Sequence, residues 1–483
     1  MRKAFFILLT LIAAMSVCVS SCISDSVSTS SSDILTFSRD TVNFDTVFTD
    51  LGTPTARLVV ANRAKKGIVI SSIRLKNPES NFSINVDGMS GKSFHDVEIW
   101  REDSIFMFIE CFIPETAGNE PYRVEDEIEF ITNGVTQTVT LEAYGQNVTR
   151  LRAARITGDT HLSADRPYVV FDSLVVDKGA VLRIDPDVRL LFHDGAEMIV
   201  HGRIEACGEP GKLIQMRGDR LDNVLPNVSY DILAGQWKGL RISRESFGNK
   251  LEYVDMRSTV SGLSLDSCGD LSQRKLELRN SWLHNSQTNV LNAKYCDIAA
   301  YGVCFSESPE AVVSLTGGTG EFVQCTIANN YLFSAITQPL LCLYHAVPPK
   351  EGEPADDNSN PLMKFSLENS IIYGIGKDIN IGDLTGSEVF FRNVSMKSGG
   401  EDDDNFIDCL WECDPLFLTD RPRYYFNYHV AADSPVIGRG AAQFLTPAVM
   451  TDIDGTDRMS TAVDGNPVLG AYAKPEQPEQ KEE

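Results

Sequence analysis

The sequence predicts an all-β protein in two parts, a β-sandwich near the N-terminus followed by a long solenoid of short strands. Three observations predict it. Six short segments between residues 56 and 143 are divided by turn residues, and two of them, Ile68–Leu75 and Thr138–Ala143, recur in apolar residues at period two, the pattern of half-buried strands. From residue 165 onward, turn residues interrupt the chain every few positions, too often for helices. Between residues 251 and 398 one phrase recurs, in which a polar or aromatic residue is followed by a small one, a variable one and a large apolar one.

Taken in order, the chain opens with a signal. Arg2 and Lys3 precede an apolar run from Ala4 to Val17, too short for a comfortable membrane span, and Val19-Ser20-Ser21-Cys22 closes it. That ending resembles the lipobox of bacterial lipoproteins. The resemblance implies acylation of Cys22 and a place at the bacterial outer membrane, on its periplasmic or its outer face; ordinary cleavage near Ser21, leaving a free thiol, is the alternative. Several acyl chains hold a protein on a bilayer where one chain is marginal. Residues 23–33, rich in Ser, read as a flexible tether. The formal net charge of −24 becomes −26 without Arg2 and Lys3, repels phosphate backbones and excludes nucleic acid as a partner. Of eleven cysteines, nine remain after Cys18 and Cys22, an odd number that cannot all pair.

The first folded part, residues 34–150, takes its strands at 56–61, 68–75, 82–86, 105–112, 127–132 and 136–143. Asn133-Gly134 sits between the last two, a signal for a two-residue hairpin turn. Short strands without a helix-period segment make a sandwich. Asn62 after a strand, an Ile-x-x-Ile and a Phe-x-Ile, Phe112-Ile113-Pro114, then Leu141-Glu142-Ala143-Tyr144-Gly145 resemble the immunoglobulin-like domains of the abnormal-spindle and hydin type. That implies a spacer or interaction module. Three triplets, Asp25-Ser26-Val27, Asp40-Thr41-Val42 and Asp45-Thr46-Val47, are similar to O-glycosylation acceptors of Bacteroidetes, although triplets this short also arise by chance.

The second part, residues 151–472, begins with strands at 168–176, 181–184, 188–192, 197–201 and 213–216, divided by turns such as Asp177-Lys178-Gly179 and His193-Asp194-Gly195. Residues 177–192, together with Gln236-Trp237-Lys238-Gly239-Leu240, resemble the opening of bacterial right-handed parallel β-helix proteins of the pectate-lyase type, which implies that fold for this part. The recurring phrase then begins at Tyr253, Asn280, Tyr295, Gln324, Asn369 and Asn393, at intervals of 27, 15, 29, 45 and 24 residues. Its second and fourth columns, such as Val254 and Met256, point inward, and the asparagines stand where the coil turns, placed for amide hydrogen bonds between turns. Cys296 and Cys325 fall in the inward small column and read as buried, inert thiols. Fifteen residues are few for a turn: either the turn at Tyr295 is abbreviated or that copy is misaligned.

A Pro-rich insertion at 348–361 explains the long interval. The acidic loop 399–405 lacks the alternating spacing of a calcium loop and reads as a solvated charge run. Cys409 and Cys413 have no second pair at zinc spacing, so neither a metal site nor a cofactor motif is read. Cys413-Asp414-Pro415-Leu416-Phe417, Ser434-Pro435-Val436-Ile437-Gly438, residues 452–458 and Leu469-Gly470-Ala471-Tyr472 resemble the closing segment of extracellular bacterial β-helices. The resemblance implies a cap over the open end of the coil, with Asp452, Asp454 and Asp457 in a structural turn. Residues 473–483 read as a disordered tail.

The outward columns hold the candidate ligand-binding residues: Asp255, Trp282 and Asp297 in one, Arg257, His284 and Tyr373 in the other. In this register Asp255 and Asp297 flank Trp282 at a strand spacing of about 4.8 Å. An aromatic platform with carboxylates suits a sugar, and two carboxylates suit acid–base work, although polar outward residues are also what any soluble sheet presents. The paired-Asp and His-Gly motifs of polygalacturonases and the Arg and calcium-Asp sets of pectate lyases have no counterpart. Two functions follow: a non-catalytic envelope lipoprotein that binds polysaccharide or an envelope protein, or a carbohydrate-active enzyme with an unfamiliar site.

Overall fold

The computed structural model of the chain describes residues 26–225, 228–268, 270–345, 362–382 and 385–476. Cys22 with its signal, the insertion 348–361 and residues 477–483 lie outside the described residues. The protein is all-β, 50% strand and 2% helix. It divides between Asn147 and Val148, three residues before the expected boundary.

In the N-terminal unit two sheets share one apolar core. The five-stranded sheet runs Leu35–Phe37, Ala56–Asn62, Ser104–Cys111, Phe82–Val86, Met89–Gly91, and the six-stranded one centres on Tyr122–Thr132 and Val135–Gln146. Leu58, Ile70, Phe82, Ile109, Phe130 and Leu141 alternate inward to fill the space between them. The hairpin at Asn133-Gly134 forms as its sequence predicts, with φ of 50° and 76° at the two loop residues. The strand Thr41–Phe48 escaped the period-two reading because Asp45 adopts φ 56° and shifts the register against Val135–Gln146. Chain expected to be a tether is docked from Ser26: the backbone of Ser26 and Ser28 exchanges hydrogen bonds with Gly67, and Ser28 is buried.

The C-terminal unit is built on one sheet of 25 strands that pair in parallel with strands about a turn ahead, with a small antiparallel pair, Asn223–Leu225 and Val228–Ser229, beside it. One row reads Val254–Thr259, Trp282–Ser286, Cys304–Ser306, Thr326–Asn329, Ile371–Gly374, Ser395–Met396. Met256, Leu283, Phe305, Ile327, Ile372 and Met396 lie in register along it and all point into the core. The row corrects the expected repeat. Its third member begins at Gly302, not Tyr295, so the intervals 15 and 29 become 22 and 22. Every corner of the row is left-handed: Tyr253, Asn280, Gly302, Gln324, Asn369 and Asn393 have φ between 41° and 66°. Each corner N–H donates to the carbonyl preceding the next corner, as Asn280 does to Tyr301 and Gly302 to Val323, both within 2.9 Å. Tyr295, with φ 44°, is also such a corner, but it lies mid-strand in Leu291–Tyr301 on another face of the coil. The phrase therefore finds corners without telling one face from another. Glycine is obligatory at Gly239, where φ is 118° and a Cβ would meet the Gly262 carbonyl oxygen at 2.3 Å.

The closing segment also departs from expectation. Instead of covering the end of the coil, residues 417–476 run back along its flank as a strap, because the outward positions there are small or apolar: Cys304, Ala328 and Ile371 pack against Tyr428, Val430, Ile453, Leu469 and Ala471. At the last turn it is Phe406 and Trp411 that pack on the core. The corner amides bond to the strap more than to each other: Asn369 exchanges two hydrogen bonds with Ala441, Asn393 donates to the Arg439 carbonyl, and among the asparagines Asn280 reaches another corner, the preceding one, at the Tyr253 hydroxyl. Asp452 makes the expected turn, accepting from the N–H groups of Asp454, Thr456 and Ala473. That last contact and a bridge between Ala431 and Glu476 hold the expected tail as far as Glu476. In the acidic loop Asp402 and Asp403 accept backbone and Trp411 hydrogen bonds. All nine described cysteines are free, and Cys325 is buried with its thiol pushed up to about 12 by that burial.

Candidate functional site

Alternation along two neighbouring strands assembles the site. Val254 and Met256 face the core, so Asp255 and Arg257 face away; Leu283 faces the core, so Trp282 and His284 face away. Register then sets Asp255 beside Trp282 and Arg257 beside His284. The His284 imidazole stacks on the Trp282 indole, ring centroids 3.9 Å apart and planes 12° from parallel, and its Nε2 lies 3.0 Å from Oδ1 of Asp255. Arg257 reaches Asp255 at 3.5 Å and Asp231 at 3.7 Å, while Arg217 binds the other oxygen of Asp231. Asp231 belongs to the 3₁₀ turn Tyr230–Ile232, which is tied to the strand ends by hydrogen bonds from Ser258 and Asn285 to the Asp231 carbonyl, each 3.0 Å.

Two sequence candidates are not part of this cluster. Asp297, expected to flank Trp282, lies on another face, held by Arg274 and Thr319; the neighbour of Trp282 on that side is Cys304. The misplaced Tyr295 corner accounts for the error. Tyr373 does lie in the column of His284, but Ser306 and Ala328 intervene, and its ring packs edge-on against Phe417 of the strap. The expected open strip is also largely covered, since Asp255 and His284 are both buried.

Glu307 joins the site unforeseen. It follows Cys304–Ser306, the strand whose corner is Gly302, and so falls outside the misregistered phrase. Its backbone is left-handed, φ 64°, in line with Ser258 at 65° and Asn285 at 61°. One carboxyl oxygen accepts from the Tyr428 hydroxyl and the other from the Asn330 N–H at 3.0 Å. Trp282, Arg257, His284 and Glu307, with Tyr331, Phe333 and Phe426, line a pocket of about 110 Å³, room on the order of four waters. A larger hollow of about 500 Å³ on the N-terminal unit, around Asn85, Phe108 and Glu110, gathers no buried polar cluster.

Burial sets the charges here. It works against ionisation of Asp255, but Arg257, the His284 hydrogen bond and Arg217 outweigh it and hold the carboxyl below its ordinary range. For His284 burial wins over the pull of Asp255 and lowers its titration, so the pair is a carboxylate and a neutral imidazole. With Nε2–H donating to Asp255, the ring lone pair is on Nδ1. Burial pushes Glu307 up to about 8, against the Asn330 hydrogen bond and the charge of Arg421. The cluster thus holds an aromatic face, an oriented neutral imidazole and a protonated carboxyl around one small space.

No known protein family matches the chain, and no curated protein matches it. Partial likenesses to solved structures include a family 123 glycoside hydrolase from Clostridium perfringens, 12% identical over 23% of this chain and 26% of that one, TM-score 0.17. The VesB protease of Vibrio cholerae matches 23% of this chain and 31% of its own at 12% identity, TM-score 0.17. A protein of unknown function from Porphyromonas gingivalis W83 matches 26% and 60% at 11% identity, TM-score 0.18. The chain covers less than two thirds of each, and overlaps of this size carry no argument about function.

Proposed function

We propose that the chain is a cell-envelope lipoprotein, acylated at Cys22 and anchored in a bacterial outer membrane, that binds a glycan in the pocket of its C-terminal unit. In this reading the N-terminal unit is an immunoglobulin-like β-sandwich acting as a spacer, and the C-terminal unit is a right-handed parallel β-helix. The parallel pairing of strands about a turn apart supports the second of these. The observation that carries binding is the stacked Trp282–His284 pair, backed by Asp255 and facing Tyr331, Phe333 and Phe426 across a space of about 110 Å³. Aromatic surface beside hydrogen-bonding groups suits the edge of a sugar, the rest of the ring staying outside a space this small.

The test is a glycan array probed with the full-length protein. Trp282→Ala is expected to weaken any bound signal by about tenfold, the loss of one stacking contact; an array silent to the wild type would sink the reading. A carbohydrate-active enzyme is the second reading, favoured by one observation: the protonated Glu307 and the neutral His284, an acid and a base, line the same pocket. It requires release of new reducing ends from a bound glycan, abolished in His284→Ala, whereas binding without release retains the first reading.

A further inference from the structure

The pocket at Trp282 continues into two further hollows, and their course indicates which part of a glycan the protein holds, an inference that rests on the glycan reading above. Three neighbouring stretches of chain line them in the same order. His284, Glu307 and Tyr331 line the pocket; Gln287, Pro309 and Ser334 line a second hollow of about 450 Å³; Asn289, Glu310 and Gln338 line a third of about 260 Å³. Tyr331 and Phe333 border both the first and the second, so these two adjoin. The strands that lead into these stretches are parallel and in register, so equal advances along each trace one groove that follows the strands around the coil.

Two segments that leave the coil wall this groove. Residues 230–236 are held by the hydrogen bonds of Ser258 and Asn285 to the Asp231 carbonyl and by that of the Gln236 amide to the Leu233 carbonyl at 3.1 Å. Residues 331–338 are held by Thr337, whose N–H and hydroxyl both donate to the Pro309 carbonyl, at 2.7 Å and 3.0 Å. The walls are thus in place before a ligand arrives, and binding need not order them.

One end of the groove is closed. The strap lies over the starts of the same strands, where Tyr428 packs with Cys304 and Ala328, and Phe426 forms part of the pocket wall. It is fastened there by the Tyr428 hydroxyl, which donates to Glu307, and by Arg421, which donates to the carbonyls of Asn330 and Tyr331 at 3.2 Å and 3.0 Å. A chain of sugars cannot run on past this barrier. At the other end Gln287, Ser334 and Gln338 are exposed, which leaves the groove open. Its lining there suits successive sugar units: Phe333 offers a ring face, and the amides of Gln287, Asn289 and Gln338 offer hydrogen bonds to hydroxyl groups. We propose that the protein binds a glycan by its chain end, with the edge of the terminal unit in the Trp282 pocket and the following units laid along the groove past Gln287 and Ser334.

The experiment titrates the full-length protein in detergent with gluco-, manno-, xylo- and galacturono-oligosaccharides, each series taken from the monosaccharide upward, by calorimetry, which reads affinity and stoichiometry together. In a series that binds, the first added units are expected to tighten binding by about tenfold and later units by nothing further. The stoichiometry should stay at a single protein per chain however long the chain becomes. Ser334→Trp, at an exposed position, fills the second hollow and should abolish the gain with length, and Phe333→Ala, also exposed, should reduce it several-fold. Several proteins bound along each long chain would overturn the chain-end mode. Affinity that ignores length, or a gain with length that survives both substitutions, would overturn the groove while leaving the glycan pocket standing. Binding at no length in any series would overturn the glycan reading and this inference with it.

Discussion

Glu307 shows how one residue can join a candidate site that its sequence neighbourhood does not announce. A carboxyl buried beside Tyr428 and Asn330 keeps its proton to about 8, whereas an unfolded glutamic acid gives it up near 4.5. Between those values unfolding releases a proton, so stability must fall as pH rises from 4.5 to about 8 and change little on either side from this group. Glu307→Gln removes the titration while keeping the shape. Its unfolding free energy, followed by urea denaturation across that range, should be flatter than that of the wild type; an unchanged slope would show that Glu307 is ionised in the folded protein. Asp255 works in the other direction. Held below its ordinary range, it favours the folded state at neutral pH and loses that contribution only in acid, as pH falls through its lowered titration.

At the scale of elements, what the sequence makes legible is the corner. Asn280, Asn369 and Asn393 are identifiable because a left-handed position tolerates asparagine and precedes an alternating strand, whereas Tyr253 and Gln324 are marked by the small and large apolar columns that follow them. Gly302 performs the same turn without the polar side chain, so the phrase passed over it and settled on Tyr295, which turns on another face. That one substitution of corner moved Asp297 into the imagined site and left Glu307 out of it. The strap was legible as a segment but not in its place, since its docking depends on long-range contacts that no local pattern encodes. Arg458 holds it: the guanidinium is buried and donates to the carbonyls of Val449, Gly470 and Ala471 and to the amide of Gln324, with burial lowering its titration to about 10. Arg458→Met leaves those acceptors unpaired and should destabilise the C-terminal unit by roughly 3 kcal/mol, with protease cutting first within 417–476. Arg423→Met, which breaks only an exposed pair with Asp420 at 3.5 Å, should change stability by less than about 1 kcal/mol. Equal effects of the two substitutions would mean that Arg458 does not fasten the strap.

The two units have separate apolar cores, each complete in its own sheets, so that a tether at one end need not disturb a pocket in the other unit. A chain of net charge −24 gains nothing from the anionic surface of a membrane, so the proposed attachment must come from hydrocarbon rather than from charge. Each buried methylene contributes about 0.8 kcal/mol, so in the proposed attachment several acyl chains on Cys22 would anchor stably where a single chain would be marginal and reversible. The consequence is measurable. In a bacterial host that processes lipoproteins, the wild-type protein should sediment with membranes, resist high-salt washing, enter the detergent phase and incorporate labelled fatty acid. Cys22→Ser should do none of these and should keep the glycan affinity of the wild type, because the pocket lies wholly in the C-terminal unit. A Cys22→Ser protein that still partitions with membranes would place the attachment elsewhere in the chain, and one that loses glycan affinity would show that the pocket depends on the anchor.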